Sequence, residues 1–115
     1  MTFSVRTEVD TDGRCVIRPA GQLDLGTVDE FEAALASLEE TSPPTIVIDL
    51  RELSFLDSTG LRSLLGADAR ARAHDRRLIL IPGPDAVQRV FRLTLVDRRL
   101  EFEGDGSTDT EGPDR

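Results

Sequence analysis

At 115 residues and a formal net charge of -8, the chain is sized for a single domain with its own core, and its acidity argues against a partner bound through a phosphate backbone. Five Phe, with no Trp and no Tyr, leave too few aromatic platforms to stack bases, so nucleic acid is not an expected partner. All fourteen basic residues are arginine, which withholds the lysine used by a Walker-type phosphate loop, by Schiff-base chemistry and beside the phospho-accepting Asp of a receiver domain.

The single Cys15 excludes an internal disulfide, and its place in an apolar strand pattern suits a small buried thiol better than a reactive one. With one Cys and one His, His74, the chain offers no convincing zinc ligand set and no Ser-His-Asp triad. No metal, cofactor or catalytic residue is therefore expected. The first residues form no basic-plus-apolar leader, and no apolar run approaches the ~20 residues of a membrane span. A cytoplasmic chain without membrane contact is the expectation.

Thr2 to Glu8 alternates, with Phe3, Val5 and Thr7 on one side, and predicts a half-buried strand. Asp10-Thr11-Asp12-Gly13 predicts a turn, and Arg14 to Ala20 a second strand antiparallel to the first, because the connection is too short for a crossover. Gly21 to Thr27 reads as a loop. Thr27 and Glu30 have the spacing of a capping box, opening a helix whose Val28, Phe31, Ala34, Leu35 and Leu38 share one face. Ser42-Pro43-Pro44 ends it.

Thr45 to Leu50 is a nearly continuous β-branched run, interrupted only by Asp49, and predicts a central strand buried on both faces under helices. Next comes Phe55-Leu56-Asp57-Ser58-Thr59-Gly60-Leu61, then a helical pattern to about His74 with Leu61, Leu64, Leu65 and Ala69 inward. Arg70, Arg72, Arg76 and Arg77 are interrupted by Asp68 and Asp75, which predicts a solvated helix face. Leu78 to Ile81 predicts a buried strand parallel to the central one. Pro82-Gly83-Pro84-Asp85 breaks it before a third helix with Val87, Val90, Phe91 and Leu95 inward, and Arg99 to Phe102 reads as a short last strand. Ile48, Leu61, Leu65, Ile79, Leu80 and Phe91 are the expected core.

This order predicts an α/β fold: a mixed four- to five-stranded sheet with an N-terminal hairpin and helices after strands 2, 3 and 4. The domain is expected over residues 1–102. Residues 103–115 carry five acids against one arginine and predict an acidic, disordered tail.

Asp57 has the short oxygen acceptor that a helix N-cap needs, placing Ser58, Thr59 and Gly60 in the first turn. A phosphate on Ser58 or Thr59 would lie near unpaired amides and the positive end of the helix dipole. Local chemistry alone favours an ordinary cap with Gly60 as a plain small residue.

The element order, with Gly21-Gln22-Leu23-Asp24 before the first helix and Asp57-Ser58-Thr59-Gly60-Leu61 opening the second, resembles the STAS domain family, and within it the bacterial anti-sigma factor antagonists. The resemblance spans about residues 3–102 and is most specific over Asp49 to Leu61. It implies a protein-protein switch: the unmodified antagonist binds an anti-sigma factor that doubles as a serine kinase, freeing the sigma factor that it held. It implies phosphorylation at the hydroxyl residue following Asp57, which is Ser58, with Thr59 in the second hydroxyl position, and a phosphatase that reverses the modification. It also places Asp24 beside that loop; an Asx turn is an equally good account of Asp24. The implied partner surface is Asp24, Asp57, Ser58, Thr59 and Gly60, on a monomer.

The chain departs from the family at Leu95, where many relatives have Gly after the third helix. Two other readings compete. Asp57-Ser58-Thr59-Gly60 has a superficial likeness to the Asp-Thr/Ser-Gly of aspartic proteases, but carries an extra residue and belongs to an α/β pattern. A phosphorylation-independent docking subunit of a larger complex would use the same surface without the switch.

Overall fold

The computed structural model describes residues 2–104. The Asp10 carboxylate accepts the backbone amides of Asp12 and Arg14, both at 2.9 Å, closing the turn between β1 (Ser4–Val9) and β2 (Cys15–Leu23). The two strands pair antiparallel as the short connection requires. Next come α1 (Val28–Glu39), β3 (Thr45–Asp49), β4 (Leu53–Leu56), α2 (Ser58–Ala73), β5 (Arg77–Ile81) and α3 (Asp85–Leu93), with a 3-10 turn at Val96–Arg98.

The five-stranded sheet is mixed, in the order β1-β2-β3-β5, with β4 pairing β2. β3 and β5 are parallel neighbours, Ile46 opposite Leu78 and Ile48 opposite Leu80, as the two apolar runs joined by a helix predicted.

Alternation along the strands separates two faces. Ile17, Ile46, Ile48, Leu78 and Leu80 form one core with Phe31 and Leu35 of α1, Leu61, Leu64, Ala67 and Ala71 of α2, and Val87 and Phe91 of α3. Val16, Val47 and Ile79 form a second, small cluster to which no helix residue contributes. β3 is buried on both faces as expected, but the helices cover only one. On the other, Arg18 pairs with Glu8 and Asp49, Arg14 with Asp10 and Glu103, and Arg77 with Glu101.

Several expectations need correction. β2 runs through Leu23 rather than stopping at Ala20: Gly21, at φ +102°, marks a register shift beyond which Gln22 and Leu23 pair with Phe55 and Leu56. A left-handed backbone at that point suits only glycine without strain. β4 is an additional strand, four residues long, inside what reads as a loop. The last strand reduces to a single bridge, Phe102 beside Leu80, although Phe102 also packs edge-on against Phe91 with ring centroids 5.2 Å apart. Leu65 is half-buried and Ala69 exposed, because the inward stripe of α2 runs through Gly60, Leu64, Ala67 and Ala71. Leu95 points outward.

Of the arginines after Gly66, Arg72 and Arg77 are exposed as a solvated face requires, whereas Arg70 and Arg76 are not. Arg70 reaches across to Glu39 at 3.0 Å and Glu32 at 3.8 Å, Arg76 lies 4.0 Å from Glu39, and Arg72 pairs with Asp68 at 2.8 Å. Arg70 and Arg76 thereby tie α2 and the turn after it to α1. The expected tail lies outside the described residues from 105 onward. Glu103 donates its amide to Leu80 O at 2.8 Å and pairs with Arg14 at 2.8 Å.

Candidate functional site

The helix start predicted at Asp57 is formed as the residue type requires. Asp57 is extended, at φ -104° and ψ -175°, and its Oδ1 accepts the Gly60 amide at 2.9 Å. Its second oxygen accepts the Leu25 amide at 3.2 Å. One carboxylate therefore satisfies a first-turn donor of α2 and fixes the loop between β2 and α1. The Asp57 amide donates to Leu23 O at 3.3 Å, closing the same junction from the backbone side.

Gly60 is buried where α2 presses on the ends of β2 and β4. A Cβ there would stand 2.6 Å from Leu23 O and 2.7 Å from a Leu56 methyl, closer than real Cβ contacts. The glycine is thus required for space, and it sets the depth at which the first turn sits.

Asp24 accepts the Gly26 amide at 3.0 Å, an Asx turn. Thr27 does not build the expected capping box. Its hydroxyl donates to Gln22 O at 2.7 Å and accepts the Asp24 amide at 3.1 Å, and its side chain makes no cap bond to the helix. The hydroxyl is spent inside the loop, its proton on the Gln22 carbonyl and its oxygen on the Asp24 amide, which takes the acceptor role that a cap would use. The capping-box residue therefore stiffens the loop that carries Asp24 and Leu25.

Ser58 is exposed on this rigid junction, while Thr59 is half-buried. Thr59 lines a groove of about 320 Å³ between α1 and α2 with Val28, Glu32, Arg62, Ser63 and Gly66. Asp24, Asp57, Ser58, Thr59 and Gly60 are thus brought to one corner of the molecule. Sequence reasoning did not name two further surface groups there. Leu25 is 75% exposed beside Asp57, and Phe55, opposite Gln22, is 46% exposed. A leucine between Asp24 and Gly26 in a turn was the available signal for the first.

Behind the corner, at the end of β3, the nearly inaccessible Asp49 accepts Arg51 Nη2 and Arg18 Nε, each at 2.9 Å, and the Arg51 amide at 3.1 Å. Burial pushes its carboxyl pKa up, but the hydrogen bonds from Arg51 and Arg18 outweigh that and hold it below its ordinary value. This accounts for a carboxylate in an otherwise apolar strand: it anchors the turn that leads into β4.

An α/β domain presenting an exposed hydroxyl on a capped, tightly seated helix start is the class that this architecture defines. The STAS domain family matches residues 5–105, and the chain belongs to it. Over 78 residues, covering 68% of this chain and 72% of the relative, it is 30% identical to an anti-sigma-B factor antagonist of Staphylococcus aureus. A crystal structure of an anti-sigma factor antagonist from Mycobacterium paratuberculosis superposes with a TM-score of 0.73 at 29% identity, covering 92% of this chain and 89% of the other. The anti-sigma factor antagonist SpoIIAA superposes in its unphosphorylated form with a TM-score of 0.72 at 26% identity, covering 90% of each chain. In its phosphorylated form, from Bacillus, it does so at 0.66 and 25%, covering 90% of this chain and 94% of that one. No helix among the described residues is long and apolar enough to cross a membrane.

Proposed function

We propose that this chain is an anti-sigma factor antagonist that works by partner switching. In the unmodified form it binds an anti-sigma factor, releasing the sigma factor held there. The anti-sigma factor, acting as a serine kinase, then switches it off by phosphorylating Ser58. The observation that carries this reading is the exposed Ser58 hydroxyl directly after the Asp57 cap, in a chain whose relatives are named anti-sigma factor antagonists.

The step needs only the ATP that the kinase binds. The bond from the γ-phosphorus to the bridging oxygen of ADP breaks, a bond to Ser58 Oγ forms, and the hydroxyl proton passes to a base on the kinase. The chain supplies the acceptor and its positioning and is not itself an enzyme. Ser58 is favoured over Thr59 because Thr59 is drawn into the groove between α1 and α2.

Phosphorylation adds about -1.5 to -2 charges. The amides and dipole at the start of α2 tolerate that charge, so the domain stays folded. A partner surface closed over Leu25 and Phe55 and fitted to a neutral hydroxyl does not tolerate it. A coupling of about 1 to 3 kcal/mol, roughly 5- to 150-fold in affinity, is enough to exchange partners. A phosphatase restores the hydroxyl, and the antagonist acts as a monomer in the cytoplasm.

Incubation with the cognate kinase and ATP, followed by phosphopeptide mapping, tests the assignment. Ser58→Ala is expected to bind the kinase and resist modification, and Ser58→Glu to fold but bind poorly. Phosphate mapped to Thr59, or equal partner affinity of the modified and unmodified protein, overturns the reading. Docking with no phosphate transferred to any residue after incubation with kinase and ATP supports instead a phosphorylation-independent subunit of a larger complex.

A further inference from the structure

We propose that Arg62 holds the phosphate once Ser58 carries it, so that the modified chain presents a pinned phosphate rather than a freely moving one. This rests on the Ser58 assignment above and concerns the chain after modification.

The arginines of α2 differ in what they touch. Arg70 is committed to Glu39 and Glu32, and Arg72 to Asp68. Arg62 is exposed and makes no ion pair or side-chain hydrogen bond among the described residues. It lies four residues after Ser58, on the same face of the helix. Arg62 lines the groove between α1 and α2 beside Thr59, and because helical side chains lean toward the N-terminus it has the length to reach a phosphate on Ser58 in the first turn.

The acids that could compete for Arg62 are already engaged. Asp57 is held by the amides of Gly60 and Leu25, and Asp24 by the amide of Gly26. Glu32, across the groove on α1, is held by the Ser63 hydroxyl and by Arg70. A phosphate on Ser58 offers three acceptor oxygens to a planar guanidinium, the pairing for which arginine is best shaped. The carboxylates of Asp24 and Asp57 oppose that phosphate, whereas Arg62 and the first-turn amides favour it.

The test uses the full 115-residue chain with phosphoserine installed at position 58 by an expanded genetic code, so it does not depend on any kinase. The second ionisation of the phosphate is followed by phosphorus NMR in the wild type, Arg62→Gln and Arg62→Lys. Asp24 and Asp57 from the two loops, Glu32 from α1 and Arg70 farther along α2 are common to all three proteins, so the difference reads Arg62. The midpoint is expected about 0.2 to 0.4 of a pH unit higher in Arg62→Gln than in the wild type, with Arg62→Lys between them. Salt should narrow the gap. Superimposed wild-type and Arg62→Gln curves, with both proteins folded by circular dichroism, overturn the proposal. Failure of the kinase to modify Ser58 would sink the switch reading and leave this measurement decisive for Arg62.

Discussion

Gly60 and the carbonyl oxygen of Leu23 approach so closely that a methyl group on Gly60 would stand 2.6 Å from that oxygen. The contact fixes α2 against the end of β2 and so fixes the height of Ser58 above the corner. Gly60→Ala is expected to cost about 1 to 3 kcal/mol in denaturant unfolding by overpacking, even though alanine is the better helix former by about 1 kcal/mol. Gly66, in the same helix, is the control. A Cβ there meets only the Arg70 guanidinium at an ordinary 3.5 Å, so Gly66→Ala should stabilise by about 0.5 to 1 kcal/mol. Equal effects at the two positions would show that the approach to Leu23 constrains nothing.

Elements with a long, regular period were legible in the sequence. The three helices, the β1–β2 turn and the parallel β3–β5 pair follow from apolar spacing and turn residues, and the Asp57 cap from its side-chain chemistry. Features whose cause lies elsewhere in the chain were not legible. β4 is defined by its pairing with the end of β2, Leu53 opposite Gly21 and Phe55 opposite Gln22, and four residues are too few to show a period. Thr27 caps nothing because its hydroxyl oxygen accepts the Asp24 amide instead of a first-turn amide of α1. The ion-pair roof over Val47 joins residues from β1, β2, β3, β5 and the C-terminal segment, and no local pattern announces it.

Asp49 is expected to make stability depend on pH. Its carboxyl is held below the ordinary value of 3.8, so the folded state gains from the ionised form. That gain is complete above the unfolded value and is lost as pH falls through the lower, folded one. At neutral pH Asp49→Asn should lose about 1.5 to 3 kcal/mol, the range for hydrogen bonds to a charged group. As pH falls through the lowered folded-state value the wild type and the variant should converge, because the carboxylate is then protonated. A constant difference from neutral to acid pH, measured by urea unfolding, would assign the loss to packing rather than to charge.

Truncation should locate the end of the folded domain. Residues 105–115 contain no Leu, Ile, Val, Met or Phe, so we expect removal after Gly104 to change stability by less than about 0.5 kcal/mol. Removal after Leu100 is expected to cost more than about 2 kcal/mol. It deletes the Glu101 and Glu103 backbone bonds to Leu80, the Glu103–Arg14 pair and the Phe102 ring against Phe91. Comparable melting temperatures for the two truncations would move the domain boundary toward the N-terminus.

Leu95 sits in the left-handed region at φ +63°, directly after the C-cap Thr94 of α3. This is the position at which helices most often place glycine, and a side chain there costs about 1 to 2 kcal/mol. The strain is not repaid by burial, since Leu95 is 65% exposed and Leu93, two residues earlier, is 75% exposed. Leu95→Gly should therefore stabilise the domain by about 0.5 to 1 kcal/mol, the relief of strain being partly offset by the greater freedom of glycine in the unfolded chain. Leu95→Asn should recover part of the gain, because asparagine tolerates the same backbone, whereas Leu93→Ala, in regular helix, should leave stability within about 0.5 kcal/mol. Chemical denaturation of the three variants decides the matter. A destabilised Leu95→Gly protein would mean that Leu95 is held in place by packing that its exposure does not reveal.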